Sequence, residues 1–129
     1  MKAYLAGPMS SKPGFNFALF DSAAAVLRAR GHEIVSPAEM DRALGFEGLT
    51  ATEEDFLQLG GLPAAMRRDL AALLTVDAII VLPGWDYSLG TKTEMFVAQS
   101  LGLPIFFYFN GEPLPNRMNL TMEVSARCF

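Results

Sequence analysis

The sequence has little of what many site chemistries require. It holds one cysteine, Cys128, and one histidine, His32, in 129 residues. A single cysteine builds no disulfide within the chain, and one cysteine with one histidine makes no zinc cluster. No metal and no cofactor are therefore expected. Basic residues number 10 against 14 acidic ones, for a net charge of −4. An extended nucleic-acid partner needs a basic footprint, and none is visible. No apolar run approaches the roughly 18 residues of a membrane span. Residues 1–9 lack the long apolar region of a signal peptide. A cytoplasmic protein with neither nucleic-acid nor membrane partner is the expectation. Repeats, low-complexity tracts and linkers are absent too, so residues 1–129 read as one domain. The 51% of apolar residues and 19% of charged ones exclude disorder.

What is there centres on residues 77–107, which read as strand, loop, helix, strand. Ala78, Ile79, Ile80, Val81 and Leu82 form a short continuous apolar run, as in a strand buried on both faces of a parallel sheet. Pro83 and Gly84 end it, and a polar loop runs from Trp85 to Gly90. Residues 91–101 have helical spacing, with Gly102 where a C-terminal cap belongs. Pro104 to Phe107 start the next strand. Ligands in such sheets bind outside the carboxyl ends of the strands. The Trp85–Gly90 loop and Glu94 therefore sit where chemistry is expected.

The rest of the chain repeats the alternation. Residues 2–6 predict a strand, broken by Gly7-Pro8, and a polar loop follows to Gly14. Asn16 is placed to cap a helix whose Phe17, Phe20, Ala24 and Leu27 recur at core spacing. Gly31 ends it, His32 stands at a strand edge, and residues 33–35 form a second strand stopped by Ser36-Pro37. Residues 38–61 are the least regular, and a stretch of that length is often a lid or binding loop. Thr50 and Glu53 predict a capping box for a short helix near 51–59. Pro63 suits the first position of a further helix striped by Leu62, Met66, Leu70, Leu73 and Leu74. Arg67 and Arg68 read as its solvated edge, and Asp69 abuts the stripe. After Phe107 turn signals dominate, and residues 116–129 read equally as helix or strand. The expected fold is α/β: one doubly wound, flavodoxin- or Rossmann-like parallel sheet of four to five strands with helices on both faces.

Two carboxylates stand out, Asp69 and Glu94. A pair of carboxylates at a cleft is what glycosidic cleavage needs, one for the sugar carbon and one for the leaving group. Spacing alone has a plainer explanation. Thr91-x-x-Glu94 fits a capping box, Ser88 fits an ordinary turn hydroxyl, and helix-borne aspartates are commonly solvated. The loop Gly7-Pro-Met-Ser-Ser-Lys-Pro-Gly14 is neither a Walker motif nor a dinucleotide fingerprint.

Longer patterns add to this. Tyr4-Leu-Ala-Gly-Pro8, Gly31-His-Glu-Ile-Val-x-Pro37, Asp69 eight residues before Asp77, and Ser88-Leu-Gly-x-x-x-Glu94 together resemble the nucleoside 2-deoxyribosyltransferase superfamily. The resemblance runs from Tyr4 to about Leu103. Within the superfamily the chain is most similar to 2′-deoxynucleoside 5′-monophosphate N-hydrolases. Its Leu82-Pro-Gly-Trp85 also resembles uncharacterised phage-borne members.

The resemblance implies roles. Glu94 matches the nucleophile that attacks C1′ of the sugar, Asp69 the aspartate that assists the sugar or the departing base, and Tyr4 the tyrosine that orients the glutamate. Ser88 matches the serine that meets a 5′-phosphate, where transferases of free nucleosides carry an aspartate. Pro8 departs from a phosphate-binding serine, for which Ser10 or Ser11 substitutes. Lys92, Thr93 and Phe96 also depart from the usual pattern. Gly7, Pro8, Ser10, Ser88, Gly90, Trp85 and Asn116 make up the expected substrate shell, with Trp85 and Tyr87 walling the base. A homodimer is implied, with residues near Asn116 completing a neighbour's pocket. Glu94 near a helix N-terminus is expected to be favoured as the anion. The implied activity is hydrolysis of a (deoxy)ribonucleoside 5′-monophosphate, the partner being that small-molecule nucleotide. The alternatives are a nucleoside 2-deoxyribosyltransferase and a nucleotide-binding sensor without turnover.

Overall fold

A computed structural model describes residues 1–116. Five strands form one sheet: β1 (Lys2–Ala6), β2 (Glu33–Val35), β3 (Ala78–Val81), β4 (Ile105–Phe109) and β5 (Glu112–Pro115). Their order is β2-β1-β3-β4-β5. The first four run parallel and β5 pairs antiparallel with β4. Five helices accompany them: α1 (Phe17–Ala29), α2 (Pro37–Ala43), α3 (Glu53–Gln58), α4 (Gly61–Leu73) and α5 (Leu89–Ser100).

Side-chain alternation along the central strands divides the core in two. Ala3 and Leu5 of β1, with Ala78 and Ile80 of β3, pack on one face against Phe17, Phe20, Ala24 and Leu27 of α1. Tyr4 and Ala6, with Ile79 and Val81, pack on the other against Leu73 of α4 and Met95 and Ala98 of α5. A strand buried on both faces can be apolar throughout, which is why residues 78–82 show no alternation. The two faces confirm the doubly wound α/β reading.

Several local expectations give way. Ser36-Pro37 does not merely stop a strand. Pro37 opens α2, since the first helical position spares its missing N–H. The capping box of α3 is built by Thr52 and Asp55 instead of Thr50 and Glu53. Asn16 takes a left-handed conformation without capping α1, and its amide donates to the carbonyl of Pro8 at 2.8 Å. Pro63 lies two residues inside α4, which opens at Gly61. The turn signals after Phe107 make a hairpin: Asn110 and Gly111 both have positive φ and fold β5 back on β4. The ambiguous stretch 116–129 lies outside the described residues from 117 onward.

Candidate active site

The site begins with a period of two and a period of 3.6. Alternation in β1 sends Tyr4 to the sheet face that α4 and α5 cover. In α5, Thr91, Glu94, Met95 and Ala98 form the buried stripe, so packing that buries Met95 and Ala98 also turns Glu94 inward. In α4, Asp69 and Leu73 are buried one turn apart. Tyr4, Asp69 and Glu94 therefore meet between the sheet and these two helices.

Tyr4 is fully buried and its hydroxyl donates to Oε2 of Glu94 in a short hydrogen bond. Glu94 is 5% exposed and Asp69 7%. Both carboxyls line one cavity of about 180 Å³. Burial pushes the Glu94 carboxyl up to about 8, against the hydrogen bond from Tyr4, and the Asp69 charge adds to the rise. Burial likewise raises Asp69 to about 6, while the Arg68 guanidinium pulls the other way. Tyr4 is held well above the ordinary phenol value, first by burial and then by the two carboxylates. Burial thus disfavours the anion at both carboxyls, at Glu94 more than at Asp69. The expected help from the helix N-terminus is overruled: Glu94 is the sixth residue of α5, beyond the first turn where that field acts. Nor is Glu94 a capping residue.

The cap of α5 is Ser88. Its Oγ accepts from the Thr91 amide at 3.2 Å and from the Thr91 hydroxyl at 2.9 Å. Ser88, Leu89, Gly90 and Thr91 line the cavity together with Gly7, Ser10 and Ser11. Gly7 has a structural reason as well. A Cβ there would stand 2.9 Å from Cβ of Leu82, where the ends of β1 and β3 converge. Phe15, Phe46 and Phe56 also line the cavity, packed edge-on or tilted with ring centroids 5.0 to 6.1 Å apart.

Three expected members fall elsewhere. Trp85 lies in a 3-10 turn that returns its ring to Phe107, 5.7 Å between centroids, so it packs against β4 and does not line the cavity. Tyr87 does line it, 89% exposed at the rim. Pro8 is buried behind the loop, its ring against Gly84. Asn116 follows β5, whose antiparallel course carries it toward the amino ends of the parallel strands. Within one chain it is therefore remote from a site at their carboxyl ends.

The three phenylalanines were missed, and so were two charged residues. Arg68, read as solvated, bonds to Asp41 at 2.6 Å and to Asp69 at 3.2 Å, and all three line the cavity. The signal for Asp41 was Pro37: a helix opened there carries residue 41 one turn onward. Among the described residues no group of three His, Cys, Asp or Glu side chains could hold a metal ion. No helix among them is long and apolar enough to cross a membrane.

Comparison with known proteins places this geometry in context. The family described as "Domain of unknown function (DUF4406)" matches residues 1–107. No curated protein matches. Among solved structures the chain is similar to a 2-deoxyribosyltransferase from the psychrotolerant bacterium Bacillus psychrosaccharolyticus, described as a biocatalyst for the synthesis of antiviral and antitumoral nucleosides. Identity is 24% and the TM-score 0.60, with 92% of this chain and 79% of that chain covered. The likeness is one of fold.

Proposed function

The chain belongs to the DUF4406 family, and for it we propose cleavage of the N-glycosidic bond of a (deoxy)ribonucleoside 5′-monophosphate. The observation that carries this reading is the buried Tyr4–Glu94–Asp69 cluster facing the same cavity as the Ser88-capped start of α5. Glu94 is the nucleophile. Its carboxylate attacks C1′, the bond to the base breaks, and the base leaves with the electron pair and takes up a proton. Water then displaces Glu94 from C1′ and releases the sugar 5-phosphate. Burial disfavours the Glu94 anion. Positive charge developing on the sugar restores it, which places the stabilisation in the transition state. Tyr4 orients Glu94, and Asp69 assists the sugar or the departing base. The Ser88 hydroxyl and the first amides of α5 supply a neutral, donor-rich seat for phosphate. The Phe15, Phe46 and Phe56 cluster gives the base an apolar wall. A homodimer in the cytoplasm is part of this reading.

A deoxyribosyltransferase is the second reading, favoured by the name of the structural neighbour. It uses the same glycosyl-enzyme and replaces water by a second base. The test is kcat/KM for one base supplied as nucleoside and as 5′-monophosphate, with and without an added second base. Free base from the monophosphate, with the nucleoside a poor substrate, is expected. Preference for the nucleoside, with a new nucleoside formed, selects the transferase. Tight nucleotide binding with no free base selects a sensor.

A further inference from the structure

Arg68 makes a contact that its own helix does not provide. Successive residues of an α-helix point about 100° apart, so side chains at i and i+1 do not face each other. Yet Nε and Nη2 of Arg68 donate to Oδ1 of its neighbour Asp69 at 3.3 and 3.2 Å. The reason lies in a different element. Asp41 of α2 holds Nη2 of Arg68 at 2.6 Å, which draws the guanidinium across the Asp69 carboxylate. The three side chains are 14%, 25% and 10% exposed for Asp41, Arg68 and Asp69. A planar guanidinium suits this task because its fork engages two carboxylates at fixed angles, which an ammonium does not.

We infer that Arg68 is a positioning residue: anchored by Asp41, it fixes the carboxylate of Asp69 in the cavity wall. The groups that face Asp69 come from four elements: Tyr4 of β1, Asp41 of α2, Arg68 of α4 and Glu94 of α5. Arg68 is the cation among them. Its guanidinium favours the Asp69 anion, whereas at Glu94 the Tyr4 hydroxyl does so. For its kinetic consequence the inference rests on the proposed function, in which Asp69 serves the reacting sugar or base.

The experiment is a pH titration of the intact protein labelled with carboxyl-13C aspartate, followed by NMR, with Asp69→Asn assigning the resonance. It requires no turnover, so it decides this inference even if no nucleotide is cleaved. Asp69 in the wild type is expected to titrate near 6. Arg68→Met should raise that midpoint by at least about one unit, since a cation within a few ångströms lowers a carboxyl by 1–3 units. Asp41→Ala should raise it by less, because the lost anchor is partly offset by the lost Asp41 charge. Asp41→Ala also carries the test if Arg68→Met does not fold. An unmoved midpoint in folded Arg68→Met overturns the positioning role. A midpoint unmoved or lowered in Asp41→Ala overturns the anchoring. Where the wild type cleaves monophosphate, Arg68→Met should lower kcat and leave KM nearly unchanged. A rise in KM at constant kcat would instead make Arg68 a plain substrate contact and overturn the inference.

Discussion

The chain builds two arginine–carboxylate clusters from the same parts and puts them to different ends. At the periphery Arg42 clasps Asp21 with two bonds of 2.7 Å and Glu47 at 2.8 Å. Beside the cavity Arg68 bridges Asp41 and Asp69. The carboxylates of the first cluster are 36% and 44% exposed, those of the second 14% and 10%. Exposure decides the outcome. Glu47 is held below its ordinary value, first by the hydrogen bond from Arg42. Asp41 and Asp69 are held above theirs although an arginine touches both, because burial outweighs the ion pair. A charged cluster whose members are disfavoured as ions is costly to fold around. That cost is a reason to place function there. The geometry of the pairs would not have separated the two regions, since their distances overlap.

The largest expected effect breaks the comparison at Glu94. Glu94→Gln keeps the shape and removes the nucleophile. Base release should fall by at least about 10³-fold in kcat, as for loss of a nucleophile elsewhere, while nucleotide affinity stays close to the wild type. Steady-state kinetics and calorimetric titration of the nucleotide check both halves. Wild-type turnover would take Glu94 out of the mechanism and reduce the buried cluster to a structural feature.

Ser88→Asp is the next largest. Asp caps a helix as well as Ser does, so α5 should stay intact and the melting temperature nearly constant. What changes is charge at the phosphate seat. Hydrogen bonds to a charged group contribute roughly 1.5–3 kcal/mol, so kcat/KM for the monophosphate should drop at least about tenfold. The matching nucleoside should be affected much less. Equal losses on both substrates would show that Ser88 does not face the phosphate end.

These sites were legible in the sequence to different depths. The sheet was readable because burial on both faces leaves short continuous apolar runs, and 78–82 is one. Glu94 was readable as a position, with a cap as its rival explanation. Thr91-x-x-Glu94 looked like a cap because sequence does not show where a helix starts, and with Ser88 as cap the same glutamate falls in the second turn. Arg68 was unreadable as a site residue. Its role depends on Asp41, 27 positions away on a helix hidden behind Ser36-Pro37, and only the tertiary fold brings the two side chains together. Trp85 failed for a related reason: a 3-10 turn of three residues sets its direction, and composition does not encode such a turn. Asn110-Gly111, Pro113 and Pro115 read only as turn signals; the two prolines fit β5 because an edge strand tolerates them.

The pH dependence of stability sharpens the comparison in a separate way. A carboxyl whose value is raised by folding binds its proton more tightly in the folded chain. Its favourable contribution is complete below the unfolded value and is lost as pH rises through the folded one. For Glu94 that window runs from the ordinary 4.5 to about 8, and for Asp69 from 3.8 to about 6. Glu39 and Glu47 are lowered, so their contribution is present above the ordinary value and is lost on acidification below it. Thermal melts of the ligand-free protein should therefore show a fall in melting temperature from about pH 5 to about pH 8, beside a separate fall at acid pH. Glu94→Gln should flatten the first slope and leave the second. A melting temperature level from pH 5 to 8 in the wild type would mean that the cavity does not penalise its carboxylates.

The smallest effect is expected at Arg42, and its smallness is the point. Arg42 makes more ionic hydrogen bonds than Arg68, and its guanidinium also lies 4.9 Å from the ring centroid of Phe17. A count of contacts would rank it as the more important arginine. Physical reasoning ranks it below. Exposed pairs lose most of their Coulomb energy to solvent and the rest to side-chain entropy, so such pairs contribute little. The Arg42 guanidinium lies over the Phe17 ring, and methionine offers that ring an apolar chain of similar length instead. Arg42→Met should therefore leave kcat/KM within about twofold of the wild type, as surface substitutions away from a site do. It should lower the melting temperature slightly, and the drop should shrink in high salt, where the lost pairs were already screened. Arg68→Met, measured beside it, should move the Asp69 titration and kcat instead. If Arg42→Met cuts activity as deeply as Arg68→Met, burial is not what distinguishes the two clusters. The peripheral one would then be coupled to the cavity through Phe46, which touches both Phe17 and the cavity wall.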